Sequence, residues 1–410
     1  MQSDSDRVSR VMAALERSGL DGLVCSLPTN VLLLSGYWPV VGTAIAMANR
    51  HGDTALVVPS DELELAERGW AQEIHIFESG SLQSMHRAID GVRRPLVEAL
   101  RALGLSRGRL GLESGPGFEP SSYAAMHFYG MSLRDLLWDL AALASTVPAD
   151  SLLAELRSCP TQGELERIGI ACEIAEHAFQ TGCQLIEAGQ REYRVAAGFR
   201  RPLYDLVEET RVARADGYAF CMSGPNSAHA HGAYARSTNR AVEVGDLLLV
   251  HCNSCADGYW TDITRTYCLG EPNDKQFRMY EAVLAAREAA FAAIAPGVVA
   301  SEVDRAAREV LEQRGFGSAF KHPTGHGVGF AAIDHNAIPR IHPESADRLQ
   351  PGMVFNVEPA IYLEGVGGMR HCDMVAVTED GMELLTPFQS QTTELTLAPN
   401  LAHTASEAHR

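Results

Sequence analysis

The chain lacks any continuous apolar stretch of the roughly 18 residues that a membrane span needs, so a membrane-spanning role is not expected. Its first residues, Met1-Gln2-Ser3-Asp4-Ser5-Asp6-Arg7, are polar and acidic and hold no apolar signal segment. A cytoplasmic protein is the expectation. It lacks a disulfide framework: its nine cysteines are an odd number scattered over 410 residues, a usage that fits reduced thiols. It lacks an excess of basic residues. A formal net charge of −18 excludes a general nucleic-acid surface, because phosphate binding needs clustered Lys and Arg. It also lacks a glycine-rich phosphate loop, which leaves a nucleotide role without support.

What is present is an ordinary globular composition, 46% hydrophobic and 21% charged, long enough for two domains and a sizeable core. Residues 1–154 read as an α/β domain. Helical spacing runs over 8–18 and ends at Gly19. Strands are expected at 22–26, 43–48, 54–58 and 109–113, and helices at 61–68, 82–103 and 132–143. The apolar segment 30–37 lies between the first two strands. A boundary is expected at 149–160, where Thr161-Gln162-Gly163-Glu164 has the spacing of a capping box. Residues 155–398 then carry long helices (161–188, 191–209), a strand (217–222), a loop (223–240), a hairpin, two more helices (275–294, 301–314) and a final segment of strand and loop. Helical pairs before and after β segments suggest a duplicated αα-β unit. The tail 399–410 is expected to be disordered.

The hairpin is Gly245 to Tyr267. Leu247-Leu248-Leu249-Val250 reads as a buried strand, Asp257-Gly258 as the turn, and Tyr259 to Thr264 as the return. His251 ends the first apolar run and Asp262 lies in the second. Buried groups of this kind need partners or a metal. Four other stretches carry polar residues in apolar or glycine-rich settings. Gly325-His326-Gly327-Val328-Gly329 places a histidine where the backbone can approach a ligand closely. Met353-Val354-Phe355-Asn356-Val357-Glu358-Pro359 places a glutamate in an apolar strand. Arg370-His371-Cys372-Asp373 leads into Met374-Val375-Ala376-Val377, with Arg370 and Cys372 expected on one face. Ser223 to His231 offers His229 and His231 on a loop. Cys252-Asn253-Ser254-Cys255 has C-x-x-C spacing, but at a strand end without a second pair, so a core role is the better reading.

In that order (carboxylate hairpin, GHGxG, a strand glutamate before proline, R-x-x-D at a strand) the chain resembles the pita-bread superfamily of methionine aminopeptidases, prolidases, aminopeptidase P and creatinase. Residues 30–37 resemble the N-terminal segment of the prolidase and creatinase branch, and 155–390 the catalytic domain. The resemblance implies an N-terminal creatinase-like α/β domain, a C-terminal pita-bread domain of duplicated αα-β halves, and a homodimer. It implies a two-metal site of two aspartates, one histidine and two glutamates. By position Asp262, His326 and Glu358 match that set. His251 stands where the family has its first aspartate, and Cys372 where it has the bridging glutamate. His231 and His335 match histidines that steady the reacting carbonyl, and Arg370 an arginine that grips a substrate carboxylate.

The two departures change the chemistry. A bridging carboxylate holds two ions a few ångströms apart; imidazole and thiol remove two hard anionic ligands but favour zinc or iron(II) over manganese and cobalt. The expectation is therefore a metal-dependent hydrolase of the Xaa-Pro dipeptidase or aminopeptidase P type. It would cleave an amide bond of a small peptide-like substrate with one or two ions at His251, Asp262, His326, Glu358 and Cys372. Two alternatives stay open. One is a metal-free, creatinase-like C–N hydrolase with His231 as base. The other is a binding protein that kept the pocket.

Overall fold

The computed structural model describes residues 4–40, 44–78, 88–114, 132–231, 236–334 and 337–398. It separates into two compact units, one up to Glu164 and one from Leu165. The expected tail, His335, Thr43 and the start of the helix expected at 82–103 lie outside the described residues.

In the first unit, α1 (Ser5–Ser18) begins where the Asp4 carboxylate accepts the Arg7 N–H, and it stops at the left-handed Gly19. β1 (Gly22–Cys25), β2 (Ile45–Asn49), β3 (Thr54–Pro59), β4 (Glu73–Phe77), β5 (Arg107–Leu112) and β6 (Leu143–Pro148) form one sheet in the order β4-β3-β2-β1-β5-β6. α2 (Pro28–Ser35), α3 (Leu63–Ala66), α4 (Ala88–Ala102), α5 (Ser132–Leu140) and α6 (Asp150–Ser158) complete it. The core joins Val24, Met47 and Val57 of the strands to Leu96, Leu100 and Leu137 of the helices. Three elements depart from the sequence reading. β4 and β6 are edge strands with exposed or half-buried side chains along most of their length, so neither carries the apolar run that marks a buried strand. The expected boundary at 149–160 is mostly helix α6, whose Leu153 and Leu156 are buried.

In the second unit, α7 (Gln162–Gly182), α8 (Glu192–Arg200) and α9 (Val207–Thr210) precede β7 (Ala215–Ser223), β8 (Leu247–Ala256), β9 (Tyr259–Trp260) and β10 (Thr264–Leu269). α10 (Asp274–Ala292) and α11 (Ala300–Gln313) precede β11 (Val354–Val357), β12 (Ala360–Leu363), β13 (Gly367–Arg370), β14 (Asp373–Val377) and β15 (Met382–Leu384), with β16 (Thr396–Leu397) last. Helices followed by strands therefore occur twice, as the resemblance implied. β16, β10, β8 and β7 lie side by side with β9 pairing β8; β11, β14 and β15 form a second sheet and β12 with β13 a third. The helix expected over 191–209 ends at Arg200, because Pro202 removes a backbone donor and the chain passes into a 3₁₀ turn. The 256–259 turn is as read, with positive φ at Asp257 and Gly258.

The two larger sheets of this unit, that of β10 and that of β14, are tied together by one buried cation. Arg265 of β10 is wholly inaccessible. It donates to the Cys372 and Thr264 carbonyls at 2.6 and 3.0 Å, to those of Thr386 and Phe388, and to the Asp373 carboxylate at 2.6 Å. Arg287 of α10 takes the other Asp373 oxygen at 2.5 Å. Burial alone would raise the Asp373 pKa, but Arg265, His371 and Arg287 hold it well below its ordinary 3.8. A depressed carboxylate stabilises the fold fully above its ordinary value and loses that contribution as pH falls through its folded value. Arg265→Leu strands Asp373 and several carbonyls, so urea denaturation should show a loss of about 3–5 kcal/mol at neutral pH. The same variant should show a shallower loss of stability below about pH 4, near the ordinary carboxylate value. A loss under ~1 kcal/mol, the level of an exposed pair, would show that this cation is not what joins the sheets.

Candidate active site

β8 and β10 are antiparallel with His251 opposite Thr264. Asp262 therefore falls in the bend between β9 and β10 and not within the return strand. Asn253 fixes that bend by accepting the Ile263 N–H at 2.8 Å. Glu358 follows the end of β11, its N–H bonded to the Thr324 carbonyl at 2.7 Å. Gly325 precedes His326 for a packing reason: a Cβ there would lie 1.9 Å from the Asn356 carbonyl oxygen. The close approach that the glycine allows is to a neighbouring strand. Arg370 ends β13 and Cys372 lies between β13 and β14, so the two share no strand face. Thr266 anchors Arg370 by donating to its carbonyl and accepting its N–H, both at 3.0 Å.

These elements bring Asp262, His326, Glu358, His251, Arg370 and Cys372 together, every one at most 9% exposed. His326 Nε2 is 3.2 Å from Asp262 Oδ2 and 3.7 Å from Glu358 Oε1. His251 Nδ1 is 3.6 Å from Asp262 Oδ1 and 2.9 Å from Thr264 Oγ1. The Arg370 guanidinium reaches to 3.7 Å from Glu358 and 3.3 Å from His251 Nδ1, and donates to Thr264 Oγ1 at 3.1 Å. The Cys372 thiol donates to the Asp262 main-chain carbonyl at 3.1 Å. His231 is at the exposed end of its loop, edge-on to Tyr362 with ring centroids 5.2 Å apart.

The charges follow from this packing. Burial pushes the Glu358 carboxyl up to about 7, although Arg370 and His326 oppose it. Burial disfavours charge on His326, but Asp262 and Glu358 override it and lift the imidazole to about 9. Burial would raise Asp262 too, yet His251 and His326 hold it at about 2. Burial and Arg370 keep His251 neutral, near 4, against the pull of Asp262. Burial and the two carboxylates push the Cys372 thiol well above its ordinary value. At neutral pH Asp262 is therefore matched by His326, and Glu358, where ionised, by Arg370.

The five positions expected to hold metal do not fit a pair of divalent ions as they stand. The Cys372 thiol keeps its proton for a main-chain carbonyl, and a guanidinium lies beside two of the expected ligands, Glu358 and His251. Among the described residues no three His, Cys, Asp or Glu side chains gather as a metal-holding group.

The sequence reading missed four contributors. Asn253 and Asn356 line the cluster, Tyr218 accepts from Asn253 at 2.8 Å, and His322 meets the Tyr362 hydroxyl at 2.9 Å. An asparagine inside an apolar strand, as at 356, was the available signal. Cys252 and Cys255 are buried on β8 as core residues.

Comparison with known proteins finds relatives of both parts of the chain. The model of metallopeptidase family M24 matches residues 166–379, and that of the creatinase/prolidase N-terminal domain residues 7–159. A Xaa-Pro dipeptidase of Pyrococcus furiosus is 30% identical over 396 residues, 94% of this chain and 99% of the relative. The solved prolidase from Pyrococcus horikoshii superposes with a TM-score of 0.74 at 26% identity, covering 94% of this chain and 99% of that one. The X-Pro aminopeptidase of Thermotoga maritima gives 0.75 at 26% identity, covering 92% and 98%.

The loop that carries His231 is held at both ends by one carboxylate. Glu192 of α8, fully buried, accepts from the Ser223 N–H and hydroxyl, the Asn226 amide, and the Thr238 N–H and hydroxyl, at 2.6–3.0 Å. Glu192→Ala leaves these donors unsatisfied and should cost on the order of 3 kcal/mol. Hydrogen exchange should rise first at the Ser223 and Thr238 amides. Unchanged protection at both amides would show that the loop is held by other contacts.

Proposed function

The chain belongs to metallopeptidase family M24, and from that premise we propose that it hydrolyses the amide bond of a small, carboxylate-bearing, peptide-like substrate. Members of this family are hydrolases of C–N bonds, and the relatives named Xaa-Pro dipeptidase make Xaa-Pro dipeptides the first substrates to try. The observation that carries the reading is the placement of the Glu358 carboxyl between two cations, His326 and Arg370, each 3.7 Å away. A carboxylate there accepts a proton from the attacking water as the new C–O bond forms. The His326 imidazolium gives a proton to the departing nitrogen as the C–N bond breaks. Arg370 holds the substrate carboxylate through its planar fork, and His231 meets the oxyanion from the rim. By resemblance His335 shares that role. The expected homodimer and the cytoplasmic setting belong to this reading; among the described residues no helix is long and apolar enough to cross a membrane.

A second reading keeps a metal. Asp262, His326 and Glu358 present donor atoms 3.2 and 3.7 Å apart, near the roughly 3.3 Å between neighbouring ligands in a tetrahedron with bonds of about 2.0 Å. As they stand these three do not form a metal-holding group; with side-chain adjustment they would hold one zinc or iron(II), which would supply Lewis-acid activation.

The test is a panel of Xaa-Pro dipeptides, other dipeptides and acyl amides, each assayed with metal supplied and with chelator. Wild type should hydrolyse at least one class, and Glu358→Gln should lower kcat/KM about 10³-fold with folding intact. Activity abolished by chelator and restored by zinc or iron supports the second reading. Failure to hydrolyse any amide under either condition would end both.

A further inference from the structure

Two asparagine side chains are built into the cluster in one orientation, and the main chain fixes that orientation. An amide can be turned over to exchange its oxygen and nitrogen unless a partner of known polarity decides the matter. Asn356 Oδ1 accepts the His326 backbone N–H at 2.7 Å, and Asn253 Oδ1 accepts the Ile263 backbone N–H at 2.8 Å. A backbone N–H only donates, so each oxygen is committed to it. Each NH₂ group must then face the cluster.

The consequences run through the expected metal donors. Asn356 Nδ2 lies 3.3 Å from Asp262 Oδ2, 3.1 Å from His326 Nε2 and 3.5 Å from Cys372 Sγ. Asn253 Nδ2 lies 2.8 Å from the Tyr218 hydroxyl, 3.3 Å from His251 Nε2 and 3.5 Å from Asp262 Oδ1. The donor-only Arg370 guanidinium faces the other ring nitrogen of His251, Nδ1, at 3.3 Å, so N–H groups approach both nitrogens of this imidazole, with Thr264 Oγ1 2.9 Å from Nδ1. His326 Nδ1 faces the Gly327 carbonyl at 3.0 Å. Whether its Nε2 donates to Asp262 or accepts from Asn356, that lone pair is taken. The thiol proton of Cys372 is spent on the Asp262 carbonyl, and Glu358 faces Arg370. Where a metal centre has lone pairs converging on a cation, this cluster has N–H groups converging on the lone pairs.

We propose that the anchored amides of Asn253 and Asn356, with the Arg370 guanidinium, stand in for the divalent ions, so that this chain keeps the site assembled without metal. The proposal concerns the same site as the hydrolase reading and rests on it only for the identity of that site, since its readout is metal content and not turnover. Partial positive charge on an amide, unlike a dication, neither ionises a bound water nor requires four carboxylates to balance it. The arrangement also costs little to keep, because each amide satisfies both of its polar ends.

The experiment uses the full chain purified without chelator and without a nickel column. Metal content is read by elemental analysis, and binding of Zn²⁺, Mn²⁺ and Co²⁺ by calorimetry. Wild type is expected to hold well under one ion per chain. Asn356→Ser, which keeps a hydroxyl for the His326 N–H but removes the NH₂, is expected to gain at least about 10-fold in metal affinity, the scale on which groups next to ligands act. That gain should vanish in Asn356→Ser combined with His326→Ala, which separates it from binding at scattered thiols. Asn253→Ser is the second variant should Asn356→Ser fail to fold. About one ion per wild-type chain, lost on His326→Ala, would overturn the proposal. So would a folded serine variant that binds metal no better than wild type. Turnover of chelated wild type is scored separately and decides the hydrolase reading, while metal content decides this one.

Discussion

The Arg265 guanidinium has no contact with solvent, and each of its three nitrogens is hydrogen-bonded. That constraint governs the second unit. A charge this deeply placed is tolerated only when its donors are all used, and its partners are the carbonyls of 264, 372, 386 and 388 and the carboxylate of Asp373. These partners come from both sheets. Meeting the needs of one side chain therefore sets β10 against the segment 370–373. Arg370 and Cys372 take their positions from this bridge, helped by the hydrogen bond from the Cys372 N–H to the Thr264 carbonyl. The segments that carry Arg370 and Cys372 are thus held by main-chain and Arg265 contacts as well as by the cluster's own charges.

The cluster itself is a balanced set of charges in a buried place. Asp262 and Glu358 are acids; His326 and Arg370 face them. The environment drives the two carboxyls apart, to about 2 and about 7. A pair of acids separated in this way permits one to remain a fixed charge while the other exchanges protons near neutrality. Nearness to cations alone does not explain the split, since both acids have a cation beside them. Asp262 has two imidazoles in contact and accepts hydrogen bonds. Glu358 has its cations at 3.7 Å, too far to offset its loss of solvent.

Much of this was legible in the sequence, and particular residues show where legibility ended. The long helix α7 announced itself by the capping-box spacing of Thr161 and Glu164, and the Asp257-Gly258 turn by its residues alone. β4 and β6 did not, because an edge strand half open to water carries no apolar run. Six of the residues expected at the site, His251, Asp262, His326, Glu358, Arg370 and Cys372, lie together, whereas His231 is exposed on its loop against Tyr362. Their contacts were not legible. Nothing in Arg370-His371-Cys372-Asp373 tells that a strand ends at Arg370 and another starts at Asp373, and this break points the thiol at a carbonyl. Asn253 was read only as filler in a C-x-x-C spacing. Asn356 stood beside the glutamate and went unremarked, since its meaning depends on a backbone N–H from a segment thirty residues away.

The departures from the family's ligand set make sense together and not singly. Two aspartates, two glutamates and a histidine balance two dications. Replacing one aspartate by His251 and the bridging glutamate by Cys372 removes two negative charges from a buried place. The two carboxylates that remain are already matched by His326 and Arg370. Adding even one dication to this set would leave buried positive charge without a counter-charge, a cost of several kcal/mol per ion in a poorly solvated site. Protons could leave His326 to lower that cost, yet its Nε2 would then lie 3.2 Å from the Asp262 oxygen with only the Asn356 amide between their lone pairs. The asparagines, the imidazole at 251 and the thiol at 372 therefore form one electrostatic solution.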